Sequence, residues 1–523
     1  MQLDLLRPFR DIRGNKNCRL ATSIVLLSLS VAARVPAADD LTKPIHTSPD
    51  GHFLAKPDGS PFFYMAEDAE ALLWAVSKED ADFYLRKRAE QGFTVTMGQI
   101  APKDNINRPN YYGETVFVKG DPSHPNPKYF AHVDWVVARA RHYGLRVTLA
   151  PVTGITHLAH DHIYTVENVE RYGRWVGQRY RGQGIIWMIG FDSTPIWADG
   201  DWSDSTKVVL KDFRPVYDLL TRGITEGQGE DPFFTFHPSC CNFPGTAEPR
   251  TSLYLGNRPW LHMNMLQSSH FKDVSAFLKQ SGLAFGWDST FNYEPIRREY
   301  DSLPVRPVVD GEPQFDSMPR NEDGKVAAGR WDEVDIRNSA YHSVFAGAAG
   351  HDYNHLSVVH FFNSNDLNPN DGYKSEVSYY HPILNWKDAL NALGAQQIGH
   401  VKALMLSRPY FTRIPDQSVI VGETGEGSAH ISATRDREGS YLMIYLPQGQ
   451  PVTVDMIKLS GAAASAWWFD PRAGTARRVE GSFPTDHQQR FMPPSQGAGN
   501  DWILVLDDKA RNFPTPGSQY EQR

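Results

Sequence analysis

The sequence alternates short apolar runs with longer amphipathic segments, and this alternation constrains the fold more than any other feature. Runs without a polar residue at every second position are typical of parallel strands buried on both faces. Segments such as 78–91, 206–221 and 331–345 are predicted as helices between them. The eight runs cover residues 61–66, 94–100, 146–152, 184–190, 232–237, 262–267, 306–310 and 352–362.

Eight strands that alternate with helices predict an α/β fold, namely a closed (β/α)8 TIM barrel. An open doubly wound sheet is the alternative, but no glycine-rich nucleotide fingerprint follows any of the runs. After a predicted helix over 386–406 and two prolines, Pro409 and Pro415, the pattern changes to short strands separated by turns. These strand runs cover residues 429–434, 441–446, 452–455, 464–469 and 502–506. We therefore expect the barrel over 38–410 and a small all-β sandwich domain over 411–523.

The first 37 residues are predicted to be a secretory signal peptide. Basic residues up to Arg19 precede an apolar run over 20–33, and Val35-Pro36-Ala37 forms a small-residue cleavage site. The run is too short to span a bilayer, and no later stretch is long enough to do so. We expect an exported protein, periplasmic or extracellular, without a membrane span.

Charge and cysteine content exclude further classes. Lys and Arg number 53 against 61 Asp and Glu, and the resulting net charge of −8 excludes a nucleic-acid binder that would need a basic surface. Beyond Cys18 in the signal segment, the chain has only the adjacent Cys240 and Cys241. These two cannot form a disulfide framework, and a vicinal disulfide and two free thiols are equally open.

Two carboxyl residues follow the fourth and seventh predicted strands. Asp192 comes after the run WMIGF and Glu312 after VVDG. In a barrel, residues at the carboxyl ends of strands face a common bowl. Glycoside hydrolysis needs such a carboxyl pair, one as proton donor and one as nucleophile or base. Either residue alone could serve as a helix cap or ion-pair partner, but their joint position favours catalysis.

Polar side chains after other strands are candidates for binding a sugar, whose hydroxyls need many hydrogen-bonding groups above an apolar floor. Trp187, Trp197 and Trp260 could provide that floor, although the position of Trp187 within a strand favours the core. The candidate substrate-binding residues are Glu67, Asp68, His237, Asn264, Gln267, His270, Tyr353 and His355.

Three motifs suggest metals, and each is outweighed by a plainer interpretation. His157, His160 and His162 are dense enough for zinc but lack the usual spacing, so a solvated loop is favoured. The run HDYNH has Asp352 where a zinc protease needs glutamate, and the residues after it are predicted as strand. Residues 366–372 resemble a calcium loop with the glycine one position late. We expect no metal and no cofactor, with a metallohydrolase based on the three histidines as an alternative.

At these residues the chain resembles the apiosidase-like glycoside hydrolases, glycoside hydrolase family 140. The resemblance extends from about Lys43 to Asp507, and it implies a (β/α)8 barrel followed by a β-rich domain once named for collagen binding. It also implies retaining hydrolysis with Asp192 as acid/base and Glu312 as nucleophile. The matching segments include GIIWMIGFD, TFHP, HMNMLQSSH, RPVVDGEP, SVFAGAAGHDYNH, WWFDPRAG and GNDWILVLDD.

The chain departs from the family pattern on the rim of the bowl. It has Gly-Phe-Asp at 190–192 where the family has Gly-Gly-Asp, and Ala-Glu-Asp-Ala-Glu at 66–70 where the family has Gly-Asp-Thr-Ala-Trp. It also has Tyr-Asn at 353–354 for Tyr-Gly, and a serine at 269 for glycine. The chemistry is therefore expected to be retained, while the sugar at the cleaved subsite stays open between apiose, the substrate that the resemblance implies, and a different furanoside or pyranoside.

From this resemblance we expect an oligo- or polysaccharide substrate, with release of an apiose-like or other furanosyl residue from plant-type polysaccharide side chains. Burial and the charge of Glu312 are expected to raise the pKa of Asp192. His237, Asn264 and Glu67 are expected to bind sugar hydroxyls. The alternatives are a non-catalytic carbohydrate-binding or adhesion protein, and a glycosidase of the same mechanism that acts on another sugar.

Overall fold

The computed structural model describes residues 40–154, 156–199, 209–229, 231–239, 250–268, 292–320, 329–365 and 380–520. The predicted signal segment, Cys240, Cys241, His270 and the loop 366–372 lie outside these ranges.

The strands and helices are numbered in chain order. The strands are β1 (His46–Thr47), β2 (Leu54–Ala55), β3 (Pro61–Phe62), β4 (Tyr64–Glu67), β5 (Val95–Gln99), β6 (Arg146–Ala150), β7 (Ile186–Met188), β8 (Ile196–Asp199), β9 (Val209–Asp212), β10 (Phe233–Phe236), β11 (Met263–Leu266), β12 (Val308–Asp310), β13 (Gly350–Tyr353), β14 (Arg413–Pro415), β15 (Ser432–Asp436), β16 (Tyr441–Leu446), β17 (Val452–Asp455), β18 (Ala463–Asp470), β19 (Thr475–Pro484), β20 (Gln488–Phe491) and β21 (Trp502–Asp508). The helices are α1 (Lys78–Glu90), α2 (Pro127–His142), α3 (Thr156–Ala159), α4 (Val169–Arg179), α5 (Arg214–Gln228), α6 (Thr251–Leu255), α7 (Tyr293–Tyr300), α8 (Glu333–Phe345), α9 (Leu356–Val359), α10 (Trp386–Ala389) and α11 (Leu393–Met405).

Eight parallel strands form a nearly closed barrel, in the order β4-β13-β12-β11-β10-β7-β6-β5. The two end strands meet where Asp68 forms a parallel bridge with Met97, and where the backbone amide of Thr94 donates to the carbonyl of Met65 at 2.9 Å. All eight strands are buried along their length, as expected for strands with helices outside and packed side chains inside. The predicted barrel is confirmed.

Local elements differ from the sequence pattern at three places. The eighth strand begins at Gly350, and the run over 356–359 forms helix α9 rather than strand, because the His355 ring accepts a hydrogen bond from the Ser357 amide and caps a helical turn. Helix α5 begins at Arg214, with Pro215 in its first turn, rather than near residue 206. The helix predicted over 386–406 is divided into α10 and α11.

The C-terminal region is an antiparallel sheet of six strands, in the order β14-β15-β16-β21-β18-β19, with a separate ribbon of β17 and β20. Because strand side chains alternate between faces, Tyr441, Met443 and Tyr445 join the barrel core, whereas Leu442 and Ile444 pack under the ribbon. The sheet is therefore buried on one face by the barrel helices and on the other by the ribbon. Within the described ranges, no helix has the length and apolar character needed to cross a membrane.

Candidate active site

The carboxyl ends of four neighbouring barrel strands meet at Glu312. This residue follows β12, and only 5% of it is exposed. The side chain of Gln267, after β11, forms a hydrogen bond with its carboxyl group. Nε2 of His237, after β10, lies 3.4 Å from a carboxyl oxygen of Glu312. The backbone amide of Asp192, after β7, donates to Nδ1 of the same histidine at 3.3 Å.

His237 links the two predicted catalytic residues. Burial lowers the pKa of this histidine, although the charge of Asp192 opposes the shift, so the ring is neutral at ordinary pH. A neutral imidazole carries one proton, and Nδ1 accepts a hydrogen bond, so we assign the proton to Nε2. Nε2 lies close to Glu312 but makes no hydrogen bond with the described residues. Phe191 stacks on the other side of the ring at 4.9 Å, which fixes its plane.

The residue beside Glu312 must be glycine. A methyl group at Gly311 would lie 2.7 Å from the terminal carbon of Met265 and 3.1 Å from Cδ2 of His237. Both distances are shorter than ordinary van der Waals contact. The glycine in the motif DGEP therefore lets the imidazole reach the Glu312 carboxyl group.

Glu312 is more deeply buried than Asp192. Burial, followed by the charges of Asp192 and Glu70, raises the pKa of Glu312 well above its usual value. Asp192 itself is half-buried and has a φ of 41°, a left-handed backbone conformation that aspartate tolerates better than most residues.

Asp68 is a further carboxyl group in this bowl. It is fully buried, and neither carboxyl oxygen has a hydrogen-bond partner among the described residues. Burial raises its pKa well above the usual value, and the charges of Glu70, Glu312 and Asp352 add to the effect. A carboxyl group kept neutral in this way can both donate and accept a hydrogen bond.

A charged cluster lies next to these acids. Glu70 is within 3.3 Å of Nζ of Lys103 and within 3.1 Å of Nε2 of His360. Burial alone would raise the pKa of Glu70, but these two partners outweigh it and hold the pKa at about 2. Glu70 is therefore a permanent negative charge near Glu312, compensated by Lys103.

Two of the predicted sugar-binding residues face the helices instead of the bowl. The carboxylate of Glu67 binds the guanidinium of Arg88 on α1 through two hydrogen bonds of 2.5 and 2.6 Å. The side-chain amide of Asn264 donates to Glu299 on α7 at 2.7 Å. Side chains alternate along a strand, so Glu67 and Asn264 lie outside the barrel, while Asp68 and Gln267 lie inside.

Tyr353 and His355 are also engaged in the scaffold. The hydroxyl of Tyr353 donates to Asp316 at 3.0 Å, and Nδ1 of His355 accepts from the Ser357 amide at 3.0 Å. Burial lowers the pKa of His355 to about 3, with a further contribution from Arg88. Asp68, His237 and Gln267, by contrast, all lie near Glu312.

Two of the three tryptophans predicted as an aromatic floor, and one histidine of the predicted metal motif, make structural hydrogen bonds in the described part of the chain. Trp187 is fully buried and donates to Gln228 at 2.8 Å, and Trp260 donates to Asp218 at 2.8 Å. Both ring nitrogens of His157 are hydrogen-bonded, one to the Pro102 carbonyl at 2.8 Å. No group of three or more His, Cys, Asp or Glu side chains within the described ranges is arranged to hold a metal ion.

Sequence reasoning missed three residues of the bowl, Lys103, His360 and Asp352. Lys103 closely follows β5, so the rule applied to the other strand ends could have found it. His360 follows α9, a segment predicted as strand, and was missed for that reason. Asp352 lies within β13, and burial followed by the charges of Glu67 and Glu312 raises its pKa well above the usual value.

Comparisons with known proteins agree with this geometry. Residues 48–412 match the sequence model described as "Apiosidase-like, catalytic domain", and residues 414–507 match the one described as "Putative collagen-binding domain of a collagenase". No curated protein sequence matches the chain.

Two solved structures share the whole architecture. One, titled "Glycoside hydrolase", has 28% sequence identity and a TM-score of 0.75 over 90% of this chain and 98% of its own. A glycoside hydrolase family 5 protein from Bacteroides vulgatus has 26% identity and a TM-score of 0.77 over 91% of this chain and 95% of its own.

Proposed function

The chain belongs to the family of apiosidase-like catalytic domains and is a glycoside hydrolase, and from this premise we propose that Asp192 and Glu312 catalyse the cleavage. Glu312 is the nucleophile and Asp192 the acid/base in a retaining reaction. The substrate is an oligo- or polysaccharide, from which the enzyme releases an apiose-like or other furanosyl residue of a plant-type side chain. The enzyme is exported, as the sequence of residues 1–37 predicts.

The environment of Glu312 is the observation that carries the assignment. Its buried carboxyl group is hydrogen-bonded to the Gln267 side chain, and Nε2 of His237 lies 3.4 Å from one of its oxygens. A hydrogen-bond partner and a neighbouring imidazole orient the carboxyl group and stabilise its negative charge during attack. Asp192 is more accessible, which suits a group that meets the glycosidic oxygen and later a water molecule.

The reaction then proceeds in two steps. Asp192 donates a proton to the leaving oxygen while Glu312 attacks the anomeric carbon, giving a covalent glycosyl-enzyme. Asp192 then takes a proton from water, which attacks the same carbon and releases Glu312.

Asp68 is positioned to bind the sugar. A neutral carboxyl group without a partner in the protein can hydrogen-bond a sugar hydroxyl, and this bond strengthens as positive charge develops on the ring. In the family pattern the corresponding residue is threonine, and the residue at Glu70 is tryptophan. Both positions lie on the predicted substrate rim, so these differences bear on which furanosyl residue the site accepts.

The test is product release from a panel of pectic and other furanose-rich polysaccharides. Wild type should release one sugar, Asp192→Asn should lose about 10²–10⁴-fold in kcat/KM, and Glu312→Gln should release nothing measurable. Glu294→Gln and Asp301→Asn, which alter exposed carboxylates of α7 and the residue after it, are matched controls and should act like wild type. Near-wild-type turnover by Glu312→Gln would refute the assignment.

The panel also tests the alternative functions. A binding or adhesion protein would release no sugar, and its glycan affinity would not change in either catalytic variant. A metallohydrolase that uses His157, His160 and His162 would lose activity with a chelator. Release by wild type in the presence of chelator, and by neither catalytic variant, supports the proposed mechanism over both.

A further inference from the structure

A second cavity, of about 600 Å³, lies between the turn that joins β15 to β16, the segment after α11 and the C-terminal segment. It shares no residue with the bowl around Glu312. Its volume is within the range of about 300–1,000 Å³ that is typical of pockets for small ligands. The residues that matter for its chemistry are Thr412, Asp436, Ser440, Phe513 and Tyr520.

Three oxygen atoms of this cavity lack a partner among the described residues. One carboxyl oxygen of Asp436 accepts from the Ser440 amide at 3.0 Å, which fixes the side chain, while Oδ1 has no partner. The hydroxyl oxygens of Ser440 and Thr412 have none either. Asp436 is 2% exposed and Ser440 3% exposed. Buried polar groups are normally hydrogen-bonded. In this cavity, a carboxyl oxygen of Asp436 and the hydroxyl groups of Ser440 and Thr412 have no hydrogen-bond partner among the described residues.

Two aromatic rings line the same cavity. Phe513 and Tyr520 meet edge to face, with centroids 5.5 Å apart and an angle of 79° between the rings. The guanidinium of Arg408 lies 5.0 Å from the Phe513 ring and is itself held by Asp507 at 2.7 and 2.8 Å, so Phe513 rests on a fixed group. Both rings are half-buried and keep apolar surface for a ligand.

The cavity combines the two features that recognise a carbohydrate. Ring faces pack on the C–H groups of a sugar, and a carboxylate with hydroxyl groups pairs with its hydroxyls. Asp436 and Glu438 are acidic, and the lining cation Arg511 is 4.0 Å from Glu438. An anionic sugar would meet uncompensated negative charge here, so the ligand is neutral.

We propose that this cavity is an accessory binding site for one or two residues of a neutral oligosaccharide. The site goes beyond the proposed catalytic function and does not require Asp192 or Glu312. Binding there would hold a polysaccharide on the enzyme while the bowl acts on another part of the same chain. The C-terminal domain would then contribute substrate affinity in addition to its packing against the barrel.

The experiment is a calorimetric titration of the full chain carrying Glu312→Gln, which prevents turnover. The probes are neutral oligosaccharides of two to four residues from arabinan, galactan and xylan, with a trigalacturonide as the anionic counterpart. We expect saturable binding of a neutral probe, weakened about tenfold or more by Tyr520→Ala and by Ser440→Ala, and no binding of the trigalacturonide to this site. Tyr111→Ala, which removes an exposed tyrosine outside this cavity, is the matched control and should bind like the parent.

Thermal unfolding of each variant establishes that the fold is retained. If Tyr520→Ala perturbs the C-terminal segment, Ser440→Ala still tests the proposal. Absence of binding by every neutral probe would overturn the proposal. So would binding that is unchanged in both variants, because such binding belongs to the catalytic bowl. Failure of the catalytic function is recognised separately, by absence of product from the chain with Glu312 intact.

Discussion

The ion pair between Glu67 and Arg88 allows a sharp prediction about stability. Both side chains are almost fully buried, at 0% and 1% exposure. Arg88 also donates to Gln91 at 2.7 Å and to the Leu390 carbonyl at 3.1 Å, so the pair joins β4, α1 and the segment after α10. Glu67→Gln keeps the shape of the side chain but removes the charge that compensates the guanidinium.

The expected loss is large because the remaining charge stays buried. Removing one partner of a buried ion pair costs about 3–5 kcal/mol in the free energy of unfolding. The exposed pair of Arg86 and Glu90, at 2.9 Å on the same helix, provides the control. Glu90→Gln should cost only about 0–1 kcal/mol, because water already compensates both charges.

Equilibrium unfolding in urea measures both variants, and kcat/KM per folded molecule measures the site. We expect Glu67→Gln to lose stability while the folded fraction keeps activity within about threefold. A cost below about 1 kcal/mol would refute the argument from burial. A selective loss of sugar affinity at unchanged stability would instead place Glu67 in contact with substrate, as the sequence alone predicted.

Three further perturbations test the site and the domain contact. Glu70→Gln removes a charge that raises the pKa of Glu312, so the acid limb of the pH profile of kcat/KM should move to lower pH; an upward shift would contradict the electrostatic argument. Gly311→Ala places a methyl group 3.1 Å from Cδ2 of His237 and should lower kcat/KM at least about tenfold without unfolding the protein. Unchanged activity would show that the His237 ring has room to move. Asp501→Ala removes the partner of the buried Arg337 on α8 and should lower the free energy of unfolding, measured in urea, by about 3–5 kcal/mol. A loss under about 1 kcal/mol would mean that the contact between barrel and sheet does not depend on this pair.

The barrel could be predicted because buried strands carry a signal that does not depend on distant contacts. The apolar run over 146–152 lies over β6, and the run over 441–446 coincides with β16. The exposed strand β19, in contrast, has the polar sequence TARRVEGSFP and was missed. Its pairing with β18, and not its own pattern, makes it a strand.

The strand ends led to the carboxyl groups but not to the direction in which each side chain points. Asp68 and Glu67 are neighbours, yet one lies in the bowl and the other pairs with α1. Successive side chains of a strand point to opposite faces of the sheet. Which of the two residues faces the bowl can be assigned only when the register between strands is known. Likewise, the cavity at Asp436 combines segments distant in sequence, so no local motif could indicate it.

The most direct test of the central claim measures the anomeric configuration of the product and looks for a covalent glycosyl-enzyme. NMR of the first product should show retention of configuration at the anomeric carbon. Enzyme quenched during turnover should be heavier by the mass of one sugar residue, and peptide mapping should place this sugar on the peptide that contains Glu312. Inversion of configuration without an adduct would contradict the assignment of Glu312 as nucleophile.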